Sequence, residues 1–207
     1  MSPQECTLPL LLETIKIEDG EIFNLKYHQK RATQSRQILF NSTDVLDLST
    51  LIHPPKEGLY RCRVLYAEKL HTVEYIPYTA KEIYTLKIVP SQLEYNFKYA
   101  NRDALNTLLH SHQDVDEIII EKDGYLTDTT IANIAFYDGK QWLTPASPLL
   151  KGTMREKLLD EGFLQTADIK KEDLSHFSKV ALINAMVGFK ILHDIKIQDL
   201  KGNHYDY

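Results

Sequence analysis

Cysteine is scarce: only Cys6 and Cys62 occur in 207 residues. Two thiols so far apart support neither a disulfide framework nor a four-thiolate metal site, so a reducing compartment is the expectation. Long apolar runs are scarce too. The longest early one, residues 8–12, stops at Glu13 without the basic leader or small-residue cleavage signature of a secretory signal. No later stretch approaches the ~20 apolar residues that span a bilayer, and a cytoplasmic protein without membrane contact is expected. Basic charge is not in excess. Lys+Arg number 24 against Asp+Glu 29, a formal charge of −5, so a general phosphate-backbone binder would have to hide a basic patch on an acidic whole. Nucleic acid is therefore not expected as a partner. The 8 glycines form no dinucleotide or P-loop fingerprint, and no serine has a Gly-x-Ser-x-Gly context. None of the 8 histidines pairs at i, i+4 around a Glu, so no metal is expected.

What is present is ordinary globular material: 43% hydrophobic and 10% aromatic residues, 12 of them Tyr. That is enough to build an extensive core in one or two domains. Residues 10–17 and 22–25 flank an Asp19-Gly20 pair, which supplies the positive φ of a tight hairpin turn. A helix is expected over 28–40, with Ala32, Ile38 and Leu39 on one face, ending near Asn41. Residues 59–66 and 70–77 alternate as paired strands, and 84–89 add another. A loop over 91–101 then precedes a helix from Arg102 to about His112. Beyond it come strands over 117–121, 134–137 and 141–143 with Asp123-Gly124 and Asp138-Gly139 turns, a helix over 153–161 and a buried strand over 180–183. Hairpins interleaved with a few helices, without regular strand–helix alternation, give the class α+β. The expected division is a small α+β lobe over 1–90, an interdomain loop over 91–101 and a larger sheet-rich lobe over 102–207.

Three local contexts could carry chemistry. Lys98 lies in Tyr95-Asn96-Phe97-Lys98-Tyr99-Ala100-Asn101, where aromatic neighbours could desolvate its amine; a lysine that merely snorkels past Tyr and Phe is the plainer alternative. Lys151-Gly152-Thr153-Met154-Arg155 joins a glycine to a helix start, whose first N–H groups could cradle a phosphate or simply be capped. Asp128 sits between Thr127 and Thr129 and reads equally as a turn residue. On the strand over 59–66, Arg61 and Arg63 face the side opposite Cys62. One of them could bind a substrate carboxylate, or the pair could form a solvated face matched to Glu74.

Taken in order, four blocks resemble the class IV aminotransferase family, the pyridoxal-phosphate enzymes of fold type IV, from about Leu11 to Leu192. They are Glu13-Thr14 with His28-x-x-Arg31; Lys98-Tyr99-Ala100-Asn101-Arg102; Asp116-Glu117 through Gly124 to Thr127-Asp128 and Ala132-Asn133-Ile134; and Gly152-Thr153-Met154-Arg155 followed by Ile183-Asn184-Ala185-Met186. The resemblance implies a two-lobed enzyme with its site at the lobe junction. Its cofactor would be pyridoxal 5'-phosphate and its substrate a small amine, and it would act as a homodimer. In that picture Lys98 carries the cofactor on its amine and later moves the substrate proton. Arg31 clamps the phosphate with a paired fork of donors. Gly152, Thr153 and Met154 cradle that phosphate, and Asn184 and Ala185 close its other side. Asp128 faces the pyridine nitrogen where members usually carry Glu, a shorter reach that needs a closer ring or a bridging water. Thr14 and Arg63 are the substrate-side candidates. Within the family the blocks are most similar to the aminodeoxychorismate lyases, with branched-chain or D-amino-acid aminotransferases as the alternative and a non-catalytic fold relative behind both.

Overall fold

The computed structural model describes residues 8–207, so Cys6 lies outside the described residues. Two units make up the chain, one running to Tyr78 and including Phe97–Asn101, the other made of Thr79–Asn96 and Arg102–Tyr207.

Strand alternation organises the first unit. In β1 (Leu11–Glu18) the odd positions Leu11, Ile15 and Ile17 are buried while Thr14, Lys16 and Glu18 are less so, the period-2 pattern of a sheet with one covered face. Asp19 and Gly20 follow at φ 48° and 84°, the left-handed pair of a primed hairpin turn, and lead into β2 (Glu21–Ile22). Helix α1 (Leu25–Phe40) starts three residues before its expected position and stops at Asn41, whose left-handed φ of 53° ends the helix. A short α2 (Leu48–Leu51) precedes β3 (Leu59–Tyr66) and β4 (Leu70–Pro77). These strands form a four-stranded antiparallel sheet in the order β2-β1-β3-β4. Its covered face meets Ala32 of α1, Leu48 and Ile52, closing a core with Cys62, Val64 and Tyr66. Burial raises the Cys62 thiol to about 12, which makes it a packing group and no nucleophile.

The second unit begins with β5 (Thr85–Pro90) and α3 (Asp103–His110). The antiparallel run β6 (Glu117–Lys122), β7 (Tyr125–Thr129), β8 (Asn133–Tyr137) and β9 (Trp142–Pro145) follows. Helix α4 (Thr153–Asp160), β10 (Leu164–Ala167), a 3-10 turn at Lys171–His176, β11 (Lys179–Asn184), β12 (Gly188–Ile191), β13 (Lys196–Gln198) and β14 (His204–Asp206) complete it. All ten strands join one mixed sheet, parallel at β5·β6, β5·β13 and β9·β10. Its core gathers Ile88, Ile119, Leu126, Ile134, Phe136, Val180, Leu182 and Ile197.

This architecture is the α+β class read from the pattern of elements. The expected boundaries move, however. β5 falls within the 1–90 lobe of the sequence reading, yet both its ladder partners, β6 and β13, belong to the second unit. The 91–101 loop is likewise divided, since only Phe97–Asn101 goes with the first unit. There the Leu12 N–H donates to the Lys98 carbonyl at 2.9 Å, the Ala100 N–H donates to the Leu10 carbonyl at 2.8 Å, and Tyr99 bridges Leu11.

Candidate active site

In the first unit the chemistry centres on a carboxylate placed on the apolar face of a sheet. Glu13 shares its side of β1 with Leu11, Ile15 and Ile17 and is fully buried. Two residues three apart on α1, and so on one helix face, reach it. The Arg31 Nε and Nη2 groups donate to its two oxygens at 2.9 and 2.5 Å, and His28 Nδ1 lies 2.6 Å from Oε2. The Tyr66 hydroxyl, from β3, donates to Oε1 at 3.4 Å. Burial alone would raise the Glu13 pKa, but the Arg31 charge and the bonds from His28 and Arg31 outweigh it and bring it down to about 2. With Glu13 ionised, the short contact requires the proton of His28 on Nδ1. Burial, aided by the charges of Arg31 and Lys98, lowers the pKa of His28 against the pull of Glu13. The ring is thus a neutral donor. Burial also pushes the Tyr66 phenol far up.

Lys98 is half-buried, and its charge acts on His28, so the fold brings Lys98, His28, Arg31 and Glu13 into one electrostatic neighbourhood. Phe97 and Tyr99 on either side of it pack against the first core, their rings edge to face at 6.0 Å. Thr14 and Arg63 are not part of this group. They lie opposite each other across β1 and β3, on the sheet face away from Glu13, and Arg63 Nη1 donates to the facing Glu74 carboxylate at 2.7 Å.

The second unit holds the other predicted residues. Asp128, near the end of β7, is 5% exposed. Its Oδ1 accepts from Asn133 Nδ2 at 2.7 Å and its Oδ2 from the Leu150 N–H at 2.9 Å. Burial raises its pKa to about 7 in spite of those bonds and the Arg155 charge. Gly152 is the N-cap of α4 and, having no side chain, offers no cap of its own to the first turn formed by Thr153, Met154 and Arg155. Arg155 is 5% exposed; Nη2 donates to the Pro145 carbonyl at 2.9 Å, while Nε has no hydrogen-bond partner among the described residues. Asn184 is the last residue of β11, and Ala185 opens the turn of residues 185–187 that leads into β12. Asn184 Oδ1 accepts the Met186 and Val187 N–H groups at 2.9 and 3.0 Å, so this amide is engaged in shaping the hairpin.

Reading by motif passed over three residues that the fold makes prominent. Glu13 and His28 stood in the blocks without a role, although a Glu among apolar alternating residues and an i, i+3 His-Arg pair are both visible signals. Asn133 also stood in its block without a role, and no local signal gives it one, because its partners are 5 and 17 residues away.

The description of the amino-transferase class IV family matches residues 10–193. An uncharacterised protein of Haemophilus influenzae is 39% identical over 184 residues, 86% of this chain and 98% of that one. The crystal structure of a candidate 4-amino-4-deoxychorismate lyase from Haemophilus somnus superposes with a TM-score of 0.81 at 36% identity, covering 87% of this chain and 97% of that one. A hypothetical aminotransferase from Mycobacterium tuberculosis, solved with pyridoxal phosphate bound, shares the fold with a TM-score of 0.74 at 17% identity over 91% of this chain and 82% of its own.

Proposed function

The chain belongs to the class IV aminotransferases, and from that premise we propose a pyridoxal 5'-phosphate enzyme that acts on a small amine, a C–O lyase of the aminodeoxychorismate lyase type releasing pyruvate and 4-aminobenzoate. The observation that carries the lyase reading is the 36% identity, over 87% of the chain, to the H. somnus protein. The family's own description favours transamination as the second reading.

The residues present fit the cofactor. A helix start whose N-cap is a glycine and a buried arginine with an unanswered Nε suit an anion, and a carboxyl raised to about 7 by burial suits a protonated ring nitrogen that would restore its charge. Bound there, pyridoxal phosphate would supply an electron sink for the substrate carbon that loses its proton. Lys98 holds the cofactor through its amine and then moves the proton at the substrate carbon beside the nitrogen. Asp128 keeps the ring nitrogen protonated. The first N–H groups of α4, at Thr153 and Met154, hold the phosphate. Arg31, whose Nε and Nη2 both donate to Glu13, would help hold the phosphate with the donor capacity that pair leaves it. Gly152 shapes that cradle, and Asn184 and Ala185 flank it.

The deciding experiment supplies 4-amino-4-deoxychorismate with no keto acid. Release of pyruvate identifies the lyase, because transamination needs an amino acceptor. Turnover only after 2-oxoglutarate is added overturns the lyase reading and leaves the aminotransferase.

A further inference from the structure

One buried amide touches both halves of the cofactor machinery assigned to the second unit. Asn133, the first residue of β8, is 6% exposed. Its Nδ2 donates to Asp128 Oδ1 at 2.7 Å and to the Leu150 carbonyl at 2.8 Å, and the Leu150 N–H returns to Asp128 Oδ2 at 2.9 Å. Three hydrogen bonds thus close a ring through the end of β7, the start of β8 and the segment just before α4. The orientation of the amide is determined by its partners, since both groups facing Nδ2 are acceptors. The other end of the amide bears on α4. Asn133 Oδ1 lies so close to Gly152 that a Cβ at that position would fall well inside contact distance.

We propose that Asn133 is the positioning residue of this site: a single amide sets the direction in which Asp128 presents its remaining lone pairs and, from its opposite end, the place of Gly152, from which the phosphate-holding turn of α4 begins. This deepens the function proposed above and rests on it. An aspartate has a broad terminal torsion, and without Asn133 its Oδ1 loses the side-chain donor that fixes it, leaving the backbone N–H groups of the Leu149–Leu150 segment to restrain the carboxylate. A carboxylate offers about four lone-pair sites, more than its backbone and Asn133 donors occupy, so a ring N–H can be met without breaking the ring of bonds. The same amide explains the glycine. At φ −69° and ψ 143° Gly152 has a backbone that any residue adopts, so the need for glycine is one of space.

The test uses full-length Asn133→Ala, Gly152→Ala and the double variant, with two readouts independent of turnover. The first is titration of the Asp128 carboxyl by carbon NMR in protein without cofactor. Loss of a donor to the charged form should raise its midpoint above that of the wild type. The second is pyridoxal phosphate affinity from the imine absorbance. Gly152→Ala should weaken it by at least about tenfold when Asn133 is present and by less than about threefold when position 133 is Ala, because the clash is gone. In turnover, Asn133→Ala should lower kcat by about tenfold or more with KM changed less. An unmoved Asp128 titration, or a Gly152→Ala effect of equal size in both backgrounds, overturns the proposal. If Asn133→Ala does not fold, Asn133→Ser carries the same comparisons. A wild-type protein that develops no imine band overturns the cofactor assignment instead, while the titration and the coupling of positions 133 and 152 in thermal unfolding still decide whether Asn133 is the lock.

Discussion

Two buried carboxyls with opposite shifts show how the same element of chemistry is tuned by its surroundings. Glu13 has an arginine fork and a histidine N–H against it and is ionised down to about pH 2. Its folded pKa is depressed, so the stability it contributes is present above its ordinary value of 4.5 and is lost as pH falls toward 2, about 3 kcal/mol in all. Denaturant unfolding between pH 2 and 5 should show that slope in the wild type and its absence in Glu13→Gln. The substitution should itself cost on the order of 3–5 kcal/mol, because it leaves Arg31 facing a neutral group. Asp128 is raised, so its contribution is present below 3.8 and is lost as pH climbs through about 7. In cofactor-free protein, Asp128→Asn should therefore gain on the wild type with rising pH by about 1.4 kcal/mol per unit across that window. At low pH it starts from a deficit of about 1–3 kcal/mol, because its NH2 must face either the Asn133 or the Leu150 donor. Parallel curves would refute the burial account. For Lys98 the expectation is all or none: Lys98→Ala should form no borohydride-reducible imine band with pyridoxal phosphate, and a band identical to that of the wild type would remove Lys98 from its role.

Among the elements, those written in local code were legible and those defined by partners were not. The first hairpin could be read because a period-2 strand and an Asp-Gly pair both act within a few residues. Gly20 sits at φ 84° with only loose neighbours, so Gly20→Ala should cost roughly 1 kcal/mol from backbone strain alone, measurable as a lowered urea midpoint. The β3–β4 pair and the end of α1 at Asn41 were legible for the same reason. By contrast β10, β13 and β14 have three or four residues each with few apolar side chains, and nothing in LQTA, KIQ or HYD distinguishes a strand from a loop. They are strands because β9, β5 and each other supply the ladder. Removing residues 193–207 should thus uncover the β5 edge and take away the Tyr207 hydroxyl bond to the Leu174 carbonyl at 2.6 Å. Lower thermal stability and concentration-dependent aggregation are the expected outcome; an unchanged Tm and a monodisperse product would contradict it.

For the whole molecule, the division into units follows hydrogen-bond ladders more than chain order. The sequence between β5 and β6 includes α3, as a parallel connection requires, yet lends Phe97–Asn101 to the other unit, where the Lys98 carbonyl is pinned to β1. No helix among the described residues is long and apolar enough to cross a membrane. The proposed assembly is a symmetric homodimer, which light scattering of the cofactor-loaded protein should report as twice the 23.9 kDa chain mass; a strictly monomeric active enzyme would rule it out.

Family and class were already written in the order of short blocks, since Lys98, Asp128 and Gly152-Thr153-Met154-Arg155 are each recognisable within a few residues. Folding alone determined what those blocks touch. It turned the Arg31 fork toward Glu13, left Thr14 and Arg63 on the opposite face of the sheet, engaged Asn184 in its own turn, and put Asn133 between Asp128 and Gly152. The difference is one of range. Turn chemistry and alternation act between near neighbours, whereas the Glu13–Arg31 pair spans 18 residues and the Asn133–Leu150 bond 17. Such contacts exist only once the strands that carry them have paired.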